Sequence, residues 1–454
     1  VPSNIAILSG EMSGDLVGGA LAGALQQIRP DIQLWGLGSR HMQRAGVELL
    51  YDSAQWSAIG VVEALKVYPQ LRWRVYPRLL EQIQQRKPAA VVLIDFGAFN
   101  VKVARWCKAR GVPTLYYFPP GSWRKTGRVP QELARITDRI ATPFPWSAER
   151  LKQVAANVEF VGHPLLELVR PTLSREQFAA RFGMEGGQPI VGLLPGSRRF
   201  EVAHNFPAML GAAHLLSGRM PGVQFVVGLA SPIARQIVEQ QLRQMRDQGQ
   251  RAHRTAERDA ALREQARERE KAAHRAEPLL VTPEGVTLPA DACQTWRGAL
   301  THRADPFAIP PIVLTEGMTY EVMAHSDALM VCSGTATLEA AILGTPMVIV
   351  YRGSRLMEME AKLRRVRPEH IGMPNIIAGE RIVPEFIQHD AHPAALAQCT
   401  LTFLTDMEAR ACVRRSLERV RQTLGAPGAS RRVAQMLCEM VRGTGPSRDE
   451  PIAH

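Results

Sequence analysis

Through the first 165 residues, short runs of consecutive apolar residues alternate with stretches of helical period. The runs Ile5–Ser9, Gln33–Leu37, Ala90–Asp95, Thr114–Phe118, Arg139–Thr142 and Glu159–Val161 read as strands. Their hydrophobicity is continuous rather than alternating, which marks strands covered on both faces of a parallel sheet. Between them, Asp15–Ile28, Gln70–Gln85, Lys102–Arg110, Gln131–Ile136 and Ser147–Val154 carry helix-period patterns. Strands that alternate with helices build βαβ units, and such sheets bind ligands beyond the carboxyl ends of their strands, at a topological switch point.

A linker follows over 166–189, marked by Pro171, the Gly186-Gly187 pair and Pro189, with one helix inside it. A second βα series then runs over 190–390, with strands at Ile190–Leu194, Gln224–Leu229, Ile312–Thr315, Ala328–Cys332 and Met347–Tyr351. The expected fold is α/β: two Rossmann-like domains with a cleft between them, followed by C-terminal helices over 391–442 and a tail over 443–454. Residues 241–310 interrupt the second series. Their first part is rich in Arg, Glu, Gln and Ala with almost no large apolar residues, so the segment reads as a solvated insertion. Its charges are mixed in sign and no aromatic residues interleave to stack bases, so nucleic acid is not an expected partner.

Composition changes this picture little. With 454 residues, 46% hydrophobic and 22% charged, the chain is an ordinary globular one, long enough to bury large cores without disulfide or metal staples. Its formal net charge of +12 favours anionic partners: phosphorylated substrates, nucleic acid or an acidic membrane surface. The six cysteines form no Cys-x-x-Cys pair and keep no zinc spacing with histidine, which suits a reducing compartment. No leader pattern precedes the first strand and no apolar run reaches bilayer length, so the expected location is cytoplasmic, with membrane-surface contact open.

Four motifs sit where strands should end. Ser9-Gly10-Glu11-Met12-Ser13-Gly14-Asp15 is a glycine turn into a helix whose N-terminus would favour an anion, or an ordinary tight turn with Asp15 as a first-turn acid. It keeps neither dinucleotide nor Walker spacing. Pro195-Gly196-Ser197-Arg198 offers backbone and hydroxyl donors and a guanidinium fork for phosphate, or a surface loop with its arginine in water. Ser333-Gly334-Thr335 opens a helix whose first amides can hold phosphate, with Glu339 one turn on, placed to accept from ribose hydroxyls; Thr335 as a plain N-cap is the alternative. Asp95, in Asp95-Phe96-Gly97-Ala98-Phe99-Asn100, is a strand-end acid placed to face a cleft as a base, or a loop cap. His163, in Gly162-His163-Pro164, reads as an acid, a donor or a linker residue. No metal signature is present, and no cofactor is expected.

Taken together, these motifs resemble the lipid-A-disaccharide synthases, family 19 glycosyltransferases. Matches run nearly end to end: Gly10 to Asp15, Ile59 to Glu63, Asp95 to Asn100, Phe160 to Pro164, Leu193 to Arg198, Glu201-Val202, Ser333 to Glu339, Pro346 to Val348, Tyr351-Arg352 and Pro374-Asn375. The segment 241–310 lies outside the resemblance. Two stretches depart from the family pattern: Gly97-Ala98 replaces its proline and acidic residue, and Trp123 is the lone tryptophan where a Trp-x-Trp pair is common.

The resemblance implies a GT-B fold with the acceptor in the N-terminal half and the nucleotide in the C-terminal half. It implies inverting transfer of 2,3-diacylglucosamine from its UDP conjugate to 2,3-diacylglucosamine 1-phosphate (lipid X), at the cytoplasmic face of the inner membrane. On this reading Asp95 is the general base. Gly196, Ser197, Arg198, Ser333, Gly334, Thr335, Glu339, Arg352 and Asn375 take the nucleotide; Glu11, Ser13, Gly14, Asn100 and His163 line the acceptor side. Val62, Leu65, Tyr68, Trp73 and Tyr76, interspersed with Lys66, Arg72, Arg74 and Arg78, suit a peripheral contact with anionic lipid, or one face of a core helix. The C-terminal helices pack back on the first domain or exchange in a homodimer. A related transferase with another glycolipid acceptor, and a non-catalytic sugar-nucleotide-binding protein, remain alternatives.

Overall fold

The computed structural model describes residues 3–57, 68–125, 131–154, 157–247, 251, 264, 310–353 and 369–443. Val62 and Leu65, most of the 241–310 insertion and the tail beyond 443 lie outside them.

The first sheet contains β1 (Asn4–Ser9), β2 (Gln33–Gly38), β3 (Glu48–Asp52), β4 (Ala90–Ile94), β5 (Thr114–Tyr117), β6 (Arg139–Thr142) and β7 (Val158–Phe160). Their spatial order is β3-β2-β1-β4-β5-β6-β7, with every pairing parallel. The second sheet holds β8 (Ile190–Leu194), β9 (Gln224–Leu229), β10 (Ile312–Glu316), β11 (Ala328–Cys332), β12 (Met347–Tyr351) and β13 (Glu385–Ile387), in the order β10-β9-β8-β11-β12-β13. β4, β8 and β11 are buried at every residue, as their unbroken hydrophobicity requires. The chain order reverses between β1 and β4 in the first sheet, and between β8 and β11 in the second. All four strand-end motifs therefore fall at the two switch points.

β3 and β13 are edge strands that the sequence pattern did not separate from loop. The linker is also shorter than expected. Helix Arg175–Arg181 is opened by a capping box between Ser174 and Gln177, and it delivers Phe178 and Ala179 to the core of the second domain. The insertion likewise starts later than 241. Residues 232–247 are helical, Gln241 donates to the Ala203 carbonyl at 2.9 Å, and Leu242 and Met245 pack on the second domain's core.

The three C-terminal helices divide between the domains. Pro393–Thr405 and Met407–Thr423 cover the second, burying Leu396, Phe403 and Leu417. Ala429–Gly443 returns to the first, where Val433, Ala434, Met436 and Leu437 pack with Val17, Leu21 and Leu25 of the first helix, Met12–Ile28. The chain therefore crosses twice between domains, and the two crossings touch. His163 N–H donates to the Leu424 carbonyl at 2.9 Å, and Arg432 Nε to the Val161 carbonyl at 2.8 Å. Glu167, beside the first crossing, caps the last helix by accepting from the Gly428 and Ser430 amides at 2.9 and 3.0 Å. Gly162 has φ +76°, and a Cβ there would lie 2.8 Å from the Ala426 carbonyl oxygen, so the close approach needs glycine. Beside this junction Phe144, Leu165 and Val169 meet Leu338, Ile342 and Ile377 in one apolar cluster that joins the domains.

Candidate active site

At the first switch point the chain leaves β4 in a strained conformation. Asp95 and Phe96 are consecutive non-glycine residues in the left-handed region, with φ +46° and +51°. Such conformations cost on the order of 1 kcal/mol or more each and persist where surrounding contacts enforce them. Those contacts are visible. The Asp95 carbonyl accepts from Asn100 Nδ2 at 2.9 Å and from the Tyr116 hydroxyl at 2.9 Å. Asn100 Nδ2 also lies 3.4 Å from the Leu8 carbonyl, so this buried side chain ties the ends of β1 and β4 together. The Asp95 side chain is left open to the cleft. Protein packed around the cleft floor withdraws much of its hydration, and with the nearby Glu11 charge this raises its carboxyl to about 6; the hydrogen bond from the Phe96 amide opposes the rise.

The glycine turn holds Asp95 from the other side. A Cβ on Gly10 would lie 2.2 Å from the Phe96 ring. Gly10→Ala is expected to push Phe96, and Asp95 with it, out of position, lowering turnover on the order of 10²-fold while donor affinity changes little. Steady-state kinetics beside a nucleotide titration would check this; equal loss of both would place the damage in the whole fold. The remaining turn residues divide. Ser13 is exposed on the cleft wall, whereas Gly14 is buried against Ser9. Asp15 is scaffold: its carboxylate accepts from the Ser39, His41 and Met42 amides at 2.6, 2.9 and 3.2 Å, capping the short helix Arg40–Arg44.

At the second switch point, two helix N-termini behave differently. Helix Arg199–Arg219 is already capped from within: Glu201 Oε2 accepts from the Ser197 and Arg198 amides at 3.0 and 3.1 Å, and Glu201 Oε1 lies 3.3 Å from Arg198 Nη1. The Ser197 and Arg198 amides are therefore spent, and the loop's charged offering to an anion is the Arg198 guanidinium. Helix Thr335–Leu343 carries no side-chain cap, so its N-terminus at Gly334 and Thr335 is the end available to a phosphate. Ser333 Oγ donates to the Ile371 carbonyl at 2.7 Å and fixes the turn before it.

Buried Asn205 assembles this region. Its Oδ1 accepts from the Arg352 amide at 2.7 Å, and its Nδ2 donates to the Pro195 carbonyl and to Cys332 Sγ, both at 3.2 Å. One side chain thus ties the ends of β8, β11 and β12, as Asn100 ties β1 and β4. Neither Asn205 nor Glu201 was singled out for a role from the sequence. Their spacing was the available signal, since Glu201 three residues after Arg198 completes a capping pattern and Asn205 follows one helical turn later.

Glu339 is half-buried, and loss of hydration raises its carboxyl to about 7; the Tyr320 hydroxyl, donating to Oε1 at 3.2 Å, opposes the rise. Two expected ligands are engaged elsewhere. Asn375 is buried and makes four hydrogen bonds: it accepts from the Ile382 and Val383 amides at 2.9 and 3.0 Å and donates to the Val383 carbonyl and Glu385 Oε1 at 2.9 and 2.8 Å. It braces the segment 382–385 with its side chain fully occupied. His163 is buried between Phe118 and Phe144; its Nδ1 accepts from the Leu165 amide at 3.2 Å, and burial pushes its pKa down to about 3. A histidine held neutral at the crossing is a structural acceptor, not an acid.

The two switch points meet across the cleft, where Arg198 Nη2 lies 3.7 Å from Glu11 Oε2. A carboxyl open to the cleft on one wall stands opposite a guanidinium and an uncapped helix N-terminus on the other. Such an arrangement can remove a proton from one bound group while it stabilises negative charge leaving on another. Below the first switch point, residues Leu71–Val75 form a π-helical turn leading into helix Tyr76–Arg86, where Pro77 cannot supply the amide of a regular turn. Trp73 and Tyr68 are 72% and 54% exposed, beside exposed Arg72, Arg74 and Arg78. Tyr76 turns inward instead, meeting Phe99 edge-on with ring centroids 5.8 Å apart. No helix among the described residues is long and apolar enough to cross a membrane.

Comparison with known proteins now adds to this geometry. The family model described as "Lipid-A-disaccharide synthetase" matches residues 5–266 and 309–439, so the segment outside the family is shorter than 241–310. The lipid-A-disaccharide synthase of Geobacter metallireducens is 35% identical over 438 residues, covering 96% of this chain and 97% of its own. That of Myxococcus xanthus is 30% identical, with 97% and 98% covered. Among solved structures, an S. aureus MnaA–UDP complex superposes with TM-score 0.56 at 11% identity, covering 97% of each chain. A Neisseria meningitidis UDP-GlcNAc 2-epimerase bound to UDP-GlcNAc gives 0.54 at 10%, with 96% of this chain and 100% of that one covered. The glycosyltransferase of kitacinnamycin gives 0.56 at 12%, with 97% and 100% covered. These likenesses establish the GT-B-type fold.

Proposed function

Because the chain belongs to the lipid-A-disaccharide synthase family, and so is a glycosyltransferase of lipid A biosynthesis, we propose that it moves 2,3-diacylglucosamine from UDP to the 6-hydroxyl of 2,3-diacylglucosamine 1-phosphate. The observation that carries this reading is the pairing of the two switch points, an acid on one wall and an anion cradle on the other. Asp95 takes the 6-hydroxyl proton as that oxygen attacks the anomeric carbon from the face opposite the departing UDP. The new bond forms with inversion, and the electron pair of the broken bond leaves on the β-phosphate oxygen of UDP. Arg198 and the N-terminus of helix Thr335–Leu343 meet that charge, while Glu339 accepts from the ribose. Two structural neighbours carry UDP or UDP-GlcNAc, which supports a UDP-sugar donor.

Both substrates carry acyl chains, which need an apolar surface near the acceptor wall. Tyr68 and Trp73 with their arginines suit the headgroup layer of an anionic membrane, and this supports a peripheral place at the cytoplasmic face of the inner membrane. UDP release from UDP-2,3-diacylglucosamine, followed with and without lipid X, tests the assignment. Release that requires lipid X is expected. Donor binding with no acceptor-dependent release would overturn the acceptor and leave the nucleotide site to another glycolipid transfer.

A further inference from the structure

We propose that Glu11 and the donor's diphosphate compete for Arg198: Glu11 latches the guanidinium across the cleft, and donor binding frees the Glu11 carboxylate near Asp95. This rests on the reading of Arg198 as a donor ligand and Asp95 as the base.

The geometry makes the two carboxylates on Arg198 unequal. Glu201 is a fixture: its side chain is only 8% exposed, it is anchored by two backbone amides, and it comes from the same helix as the arginine's own loop. Glu11 comes from the opposite domain, its side chain is 45% exposed, and its contact is long, 3.7 Å to Nη2. An exposed pair at that distance is weak. A diphosphate carries more charge and can engage a guanidinium through two parallel hydrogen bonds, so it displaces Glu11 but leaves Glu201 in place.

Glu11 follows Gly10, which packs so closely on Phe96 that an added Cβ would lie 2.2 Å from its ring, and this places Glu11 within electrostatic reach of Asp95. Among the described residues, the groups acting on Asp95 include Glu11 from the turn before the first helix, the Tyr116 hydroxyl from β5 and the Asn100 side-chain amide on its carbonyl, and the Phe96 amide from its own turn. Even beside Arg198, the Glu11 charge strengthens the hold of Asp95 on a proton. Once phosphate takes Arg198, the carboxylate loses that countercharge and its effect on Asp95 grows. Donor binding thus prepares the base for the acceptor hydroxyl. Glu11 is a positioning residue in this scheme, acting through Arg198 and Asp95.

Calorimetric titration of the full chain with UDP, without acceptor, separates this from a structural role. Glu11→Gln removes the competitor, so UDP should bind about 2–5-fold tighter than to the unaltered protein. The acid limb of the acceptor kcat/KM profile should move to lower pH, because the field on Asp95 is gone. Glu11→Asp shortens the reach to Arg198 but keeps a carboxylate beside Asp95, so UDP should again bind tighter while the acid limb stays. UDP binding equal to or weaker than wild type in both variants would overturn the latch with the donor site intact. Absence of UDP binding to the unaltered protein would remove the donor reading itself, and the latch with it.

Discussion

Asp95→Asn is expected to lower turnover on the order of 10²–10⁴-fold, the usual contribution of a positioned general base, while raising the melting temperature at neutral pH. The activity loss follows because asparagine cannot take the acceptor proton from a side chain that otherwise stands open to the cleft. In the unaltered enzyme, the base works only when deprotonated. With its carboxyl raised to about 6, kcat/KM should fall as pH drops below that value and level off above it. The stability gain has the opposite origin. A carboxyl whose folded pKa lies above its unfolded value binds a proton more readily when folded, so its effect on stability worsens as pH rises from the ordinary aspartate range through about 6. Above that window the native state carries an under-solvated charge that asparagine lacks. Asparagine also tolerates the left-handed φ of +46° better than most residues. Thermal melts at pH 8 and pH 4 should show the variant's advantage at the higher pH and its loss at the lower. A variant that melts below wild type at pH 8 would mean that the Asp95 side chain supports the fold in a way its open position does not suggest.

Asn205→Leu should be the most damaging change outside the reacting groups. Leucine has a similar size but would strip hydrogen bonds from the Arg352 amide and the Pro195 carbonyl, both otherwise met by the same buried side chain. Each buried group left without a partner costs about 1–3 kcal/mol, so a loss of about 2–5 kcal/mol of stability is expected. The functional loss is separate from this. Freed from one another, the ends of β8, β11 and β12 no longer hold Arg198 and the Thr335 helix in one geometry, and UDP affinity should fall on the order of 10²-fold. Denaturant unfolding beside UDP titration at a temperature where the variant is folded reads both. A lower midpoint with unchanged UDP affinity would make Asn205 a core residue with no part in assembling the site.

Where the strand-end motifs would gather was legible because two requirements coincide there. A buried parallel strand must be continuously apolar, and the turn beyond it must be rich in glycine and small polar residues, so the boundaries at Ile94, Leu194 and Cys332 are sharp in the residues themselves. Edge strands lack the first requirement. Glu48–Asp52 is largely half-buried and Glu385–Ile387 is three residues long, so neither leaves a pattern that separates it from loop. Helix Arg199–Arg219 was equally hidden, carrying Pro207 inside it and apolar residues around most of its circumference. Polar residues posed a different difficulty. Asn375 and His163 have the same chemistry as ligands, and only their hydrogen-bond partners show that one braces a loop and the other a chain crossing. Glu201 shows the converse: an acid that looks like background is what orients the arginine.

The return of the last helix to the first sheet bears on the order in which the protein can be made. A ribosome releases residues 1–165 early, with every strand of the seven-stranded sheet in hand. The face of the first helix that carries Val17, Leu21 and Leu25 nevertheless waits for Val433, Ala434, Met436 and Leu437, which emerge only after the whole second domain. During synthesis, the early domain must therefore persist with an uncovered apolar flank, a surface that invites holding chaperones or premature association. Completion of the first domain therefore waits until the second has been made. The approach of Arg198 to Glu11 can form only when both walls of the cleft already exist.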